Sequence, residues 1–193
     1  MSDGAPFEPR PPATPARRRW RLVVRVGFAV LSAVVVWHYA TLEAVKHGDG
    51  WEYAYQLESL SRHGTPELRD EDLAAANARF TPASWKSPPA HPYGYFPAPD
   101  GRMYGMHFWG YALSAVPARA ALRFVGGDEL AALQVTNAGW FLLGLGAILF
   151  GYPGSVWKRL ALGGLVCATP AVWYIRWTGA EVFSWSLAVT AVV

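Results

Sequence analysis

The 193 residues are 52% hydrophobic and only 16% charged, with ten tryptophans, an aromatic share of 15% and a formal net charge of +3. Soluble domains usually carry about a quarter of charged residues. The balance therefore argues against an ordinary soluble domain and for a lipid environment with aromatic belts at its interfaces. The single cysteine, Cys167, excludes an internal disulfide framework.

Arginine clusters at the N-terminus, at Arg10, Arg17, Arg18, Arg19, Arg21 and Arg25. An apolar run follows at once, so the cluster reads as a topogenic signal rather than a nucleic-acid patch. Residues 1–21 form a basic, proline-rich tail, expected to be disordered and cytoplasmic. Residues 22–44 form a first transmembrane helix, with the apolar stretch from Leu22 to Leu42 just long enough to cross hydrocarbon. A cleaved signal peptide also fits the basic start, although "VVWHYATLEA" offers no clear small-x-small cleavage site.

Residues 45–128 read as a polar, aromatic-rich outer loop with juxtamembrane helices. Asp49 and Glu52 have capping-box spacing, with Asp49 as N-cap and Glu52 three residues on. The spacing predicts a helix to about His63, stopped by Gly64 and Pro66. Tyr53, Leu57 and Leu60 would form its apolar side and Glu52, Gln56, Ser59 and His63 its polar stripe, as in a helix lying flat on a bilayer. A second helix is expected over Glu67–Phe80. In the Pro/Gly-rich segment that follows, "PDG" predicts a tight turn between two short extended pieces, "YGYF" and "RMYGMHF".

His107–Val125 is apolar but interrupted by Pro117, Arg119 and Arg123. A charge at mid-bilayer costs about 2.5–3.5 kcal/mol on insertion scales, so the segment is expected to be interfacial or re-entrant, with both arginines at lipid headgroups. Residues 129–193 hold further transmembrane helices, over Leu130–Phe150, over Leu160–Trp177 and in an apolar block from Val182. Lys158 and Arg159 mark a cytoplasmic loop by the positive-inside rule. On this multi-pass topology, with the N-terminus cytoplasmic, Asp49 and Glu181 share the outer face. The expected fold class is all-α: polytopic transmembrane helices, with an outer loop region carrying interfacial amphipathic helices.

The outer side then gathers Asp49, Glu52, Arg102, Tyr104, His107, Arg176 and Glu181. A carboxylate able to take a hydroxyl proton and cations able to hold an anion would stand beside lipid. Each residue also has a structural alternative: a helix cap for Asp49, turn closure for Arg102 and Tyr104, and an interfacial ion pair for Arg176 and Glu181. His38, His47, His63 and His91 lack metal-ligand spacing, and neither a glycine-rich phosphate loop nor a G-x-S-x-G elbow occurs.

Four stretches, in order, carry a resemblance: "GDGWEYAYQLESLSRHG", "DGRMYGMHFWGYAL", "DELAALQVTNAGWFLLGLGAILFG" and "ATPAVWYIRWTGAEVFSW". Together with the basic tail and first span they resemble the N-terminal part of GT-C glycosyltransferases, polytopic enzymes that use polyprenyl-phosphate sugars, of the protein-mannosyltransferase and aminoarabinose-transferase kind. The resemblance implies a plasma-membrane enzyme that moves a sugar from a polyprenyl-phosphate carrier to an acceptor hydroxyl on the outer face. It implies Asp49 as catalytic base, Glu181 as the second outer acid, and His107 as a phosphate contact, with Arg102, Tyr104 and Arg176 as further substrate-binding candidates. The family's proline pair after the histidine is replaced here by Phe108 and Trp109. The implied partners are the bilayer, the lipid-linked donor and an acceptor of unspecified class, with no nucleic acid. The resemblance fixes no resident cofactor and no divalent-ion requirement. It also implies that these residues are the N-terminal piece of a longer enzyme. The reading from another class is a non-catalytic polytopic protein, such as a transporter component or assembly subunit.

Overall fold

The computed structural model describes residues 15–80, Trp85 and 94–193, with side chains from Arg18 onward. Residues 1–14 of the tail expected over 1–21, and most of the Pro-rich segment between Phe80 and Gly94, lie outside the described residues. The chain divides into two compact units, residues 1–34 and 35–193. The fold is mostly helical, with eight α-helices among the described residues.

Helix α1, Pro15–Thr41, begins earlier than the apolar pattern indicates. Proline suits the first helical turn, where its missing N–H is no loss, and arginine is a good helix former, so the basic segment joins the helix. In the first unit almost every described side chain of α1 is exposed, including Trp20, Leu22, Val23 and Val30. The run Arg18–Thr41, 24 residues with a mean hydropathy of 1.8, is long and apolar enough to cross a membrane.

The second unit is built on α2, Gly50–His63, which ends at Gly64 in a left-handed conformation as expected. The helix is not a surface amphipath, however. Glu52 through Leu60 are all buried. Its apolar side packs into the core with Tyr111, Leu130 and Leu133. Its polar stripe is covered too, because Glu52, Gln56, Ser59 and His63 each find a partner. Ser59 donates to the carbonyls of Thr65 and Glu67, and Tyr55 donates to Asn77 at 2.9 Å. Helix α3, Asp70–Arg79, packs against α2. The Asp72 carboxylate accepts from the Arg69 N–H at 3.1 Å at the start of α3.

The predicted turn is a β-hairpin. Strand β1, Tyr95–Pro97, pairs antiparallel with β2, Met103–Gly105, in the register Tyr95↔Gly105, Phe96↔Tyr104, Pro97↔Met103. Leu68 donates to the Met103 carbonyl at 2.8 Å and ties the hairpin to the start of α3.

Helix α4, Gly110–Phe124, accommodates Pro117 and packs between α2 and α5. Its arginines are not headgroup anchors. Arg119, 3% exposed, is held by Glu58 at 2.5 Å and Glu129 at 2.7 Å. Arg123 binds the same Glu129 at 2.9 Å. Sequence spacing could not show this, because Glu58 comes from α2.

A 3-10 turn, Glu129–Ala131, leads into α5, Ala132–Gly146, and a π turn, Ala147–Gly151, extends it. Together, Glu129–Gly151 form the second helix long and apolar enough to cross a membrane, 23 residues with 56% of its apolar window buried. The block expected as one span over Leu160–Trp177 is divided. Helix α6 is Val156–Cys167 and α7 is Ala171–Tyr174. Pro170 has no N–H and its ring would collide with the preceding turn, so the helix stops short of it. Helix α8, Glu181–Val192, packs on α5.

Candidate functional site

Asp49, Glu52 and His107 converge at the N-terminal end of α2. Asp49 occupies the N-cap position, but its side chain makes no capping hydrogen bond. The expected capping box is therefore absent, and Glu52 has turned inward instead. Its side chain is 1% exposed and accepts from the His107 backbone N–H at 2.7 Å and from Gln56 at 3.2 Å. The His107 Nδ1 lies 2.7 Å from the other carboxylate oxygen. Gln56 also donates to the His107 carbonyl at 3.1 Å, closing a clamp around His107, two residues beyond β2.

Two hairpin glycines make this possible. A Cβ at Gly94 would strike the Glu52 Oε2, and one at Gly105 would fall 2.7 Å from its Oε1. Gly94 also has φ +81°, which favours glycine. Gly94→Ala is expected to lose about 1–2 kcal/mol from the left-handed backbone alone, and more from displacing the carboxylate. A lowered midpoint in thermal unfolding checks it.

On its far side the His107 Nε2 faces the Asp49 Oδ2 at 3.6 Å. Both side chains are partly open, at 35% and 41%. The imidazole thus links a buried carboxylate to an accessible one. The hydrogen bond to Glu52 raises the His107 pKa above its ordinary value, with partial burial opposing and the Glu52 and Asp49 charges reinforcing.

Glu181 joins the same end of the fold through the turn before α8. Trp177 pairs with Val45 by a parallel bridge, and its ring stacks on His47 at 4.5 Å. Thr178, fully buried, accepts from the His47 N–H at 3.3 Å, and its hydroxyl occupies the space a Cβ at Gly50 would need. The Glu181 carboxylate folds against Gly179. Tyr53, its ring 5.9 Å from that of His107, has its pKa pushed up to about 12 by burial first and then by the charges of Glu52, Asp49 and Glu181. One phenol therefore senses all three carboxylates.

The sequence-predicted cations separate from this group. Arg102 binds Glu67 at 3.4 Å and Asp100 at 3.7 Å, so it closes the hairpin turn. Tyr104 is exposed on β2 opposite Phe96. Arg176 is exposed in the turn after α7.

Sequence reasoning also missed the residues that tie the end of α1 and the turn before α8 to α5. Gln134 and Asn137 lie one turn apart on the buried side of α5. Gln134 donates to the carbonyls of Tyr39 and Leu42 at 2.7 and 2.8 Å. Asn137 donates to the carbonyls of Trp177 and Gly179 at 2.6 and 3.2 Å. Polar side chains at helical spacing inside an apolar span were the available signal.

A separate cluster brings His63, Glu71 and Asp72 together. Arg62 stands 3.9 Å from Asp72, and Arg69 stands 3.4 Å from the His63 Nδ1, so guanidinium groups already supply positive charge there. A scan against protein-family models and searches of curated proteins and of solved structures find no match to the chain.

Proposed function

We propose that the chain is part of a membrane glycosyltransferase of the GT-C kind, acting at the membrane boundary on a polyprenyl-phosphate sugar. The observation that carries this reading is the accessible Asp49 carboxylate beside His107, flanked by exposed apolar side chains. Met106, Phe108 and Trp109, next to the imidazole, are 55%, 70% and 40% exposed. A charged centre bordered by exposed apolar groups suits a ligand with an anionic head and a hydrocarbon tail. The two membrane-length helices are consistent with such a location.

In the proposed reaction an acceptor hydroxyl gives its proton to Asp49 as its oxygen bonds to the anomeric carbon. The bond from that carbon to the phosphate oxygen breaks, and polyprenyl phosphate leaves with the electron pair. The cationic form of His107 offsets the charge on the departing oxygen. A base and a hydrogen-bonding cation on one small surface are what this displacement needs. Glu181 would border the acceptor side of the same space.

The test uses the full-length protein in membranes supplied with polyprenyl-phosphate sugars. Release of polyprenyl phosphate coupled to a new glycosidic bond is the expected result. A panel of such donors left intact, with a range of acceptors present, would overturn the reading.

A further inference from the structure

Glu52 is the one acid at this end of the fold with no access to solvent, and its two oxygens are both committed to His107. A carboxylate in so dry a place is costly unless a positive charge compensates it. Its other hydrogen-bond partner, the Gln56 amide, is neutral. The only titratable group bonded to it among the described residues is the His107 ring. The absence of a Cβ at Gly94 and Gly105 leaves room for the carboxylate beside His107, and Gln56 bonds both partners.

We propose that Glu52 is a positioning residue: it fixes the Nδ1–H of His107 and holds the ring cationic, so that the Nε2–H beside Asp49 is presented to an anionic phosphate ester. The identity of the anion rests on the transferase reading. The placement of the proton does not, since it follows from the buried carboxylate alone. Because Nδ1 is taken by Glu52, only Nε2 is free to turn toward a ligand. The groups facing the ring are Glu52 and Tyr53 on α2 and Asp49 at its N-cap, with the Tyr53 ring 5.9 Å away. Tyr53 stays neutral near physiological pH, with its pKa at about 12.

The sign follows directly. A histidine whose folded pKa is raised keeps its charge from low pH up through the ordinary value of about 6.5, and loses it as pH rises through the folded value. Anion binding should therefore weaken toward alkaline pH.

The experiment is an NMR titration of the imidazole nitrogens of His107 in the full chain held in lipid nanodiscs. The native ring is expected to titrate above the ordinary histidine value with Nδ1 protonated throughout, and Glu52→Gln to move its midpoint down. A native midpoint at or below the ordinary value, or one unmoved by Glu52→Gln, overturns the proposal. Should the variant not fold, the native midpoint and the protonated nitrogen decide it. The titration involves no turnover, so it succeeds or fails independently of the transferase assay. In that assay Glu52→Gln is expected to raise the donor KM about tenfold at neutral pH, the difference between a charge-assisted and a neutral hydrogen bond. The native KM should return at acid pH, where His107 is protonated in either protein. A purely structural role would give no such rescue, and an unchanged KM would overturn the anion role.

Discussion

Asp49→Asn is expected to lower sugar transfer by about 10²–10⁴-fold, the usual contribution of a positioned general base, while the protein stays folded. The structure separates the two consequences. A capping aspartate replaced by a poorer cap would lower stability, but the Asp49 side chain makes no capping bond to lose. Its carboxylate is 41% exposed, and the neighbour it faces is His107. Asparagine keeps the size and removes the proton acceptor. Transfer by membranes containing the variant, compared with its thermal unfolding, reads the two effects apart. Retained transfer would remove Asp49 from the reaction. On the non-catalytic reading, Asp49→Ser as well as Asp49→Asn would be silent in every assay.

Arg119→Ala is expected to cost about 3–5 kcal/mol of stability, the range for breaking a buried ion pair by removing one partner. Arg119 joins three elements. It binds Glu58 of α2, Glu129 at the entry to α5, and the Leu57 carbonyl at 3.1 Å, all from within α4. Truncating it leaves Glu58, with its side chain 3% exposed, to Arg79 at 2.7 Å and the more exposed Arg62 at 3.9 Å. Arg123→Ala is the control, because Arg123 is 55% exposed and shares only Glu129. Exposed pairs contribute at most about 1 kcal/mol. Thermal unfolding in one detergent compares the three proteins, and equal losses for the two arginines would refute the distinction.

These two arginines show where sequence reading reached its limit. Their charge ruled against an ordinary span over residues 107–125, and α4 is a 15-residue helix packed inside the second unit. Their role did not follow, because burial of a charge depends on a partner 61 residues away. The same holds for Glu52. Its three-residue spacing from Asp49 matches a local capping pattern, and a local pattern is all that spacing can express. His107, 55 residues along, offered a stronger partner for the carboxylate, and Gly94 and Gly105 cleared room for it.

The helical class, the membrane-length helices Arg18–Thr41 and Glu129–Gly151, the extent of α2 with its glycine stop, and the hairpin turn were legible in the residues alone, whereas the further spans expected over Leu160–Trp177 and from Val182 are helices too short to cross. Each legible feature depends on periodicity, on composition, or on the backbone preferences of glycine and proline, which act over a few residues. Packing between distant segments buries α2 on both sides and chooses which charged residues meet, and the fold breaks the last long apolar block at Pro170. Asp49 and Glu181 reach the same end of the fold because Gln134 and Asn137 of α5 bind the backbone at the end of α1, 92 and 95 residues before, and in the turn ahead of α8, 40 and 42 residues after. Those bonds form because amides buried in an apolar helix have no water to satisfy them and must take whatever carbonyls the packing brings.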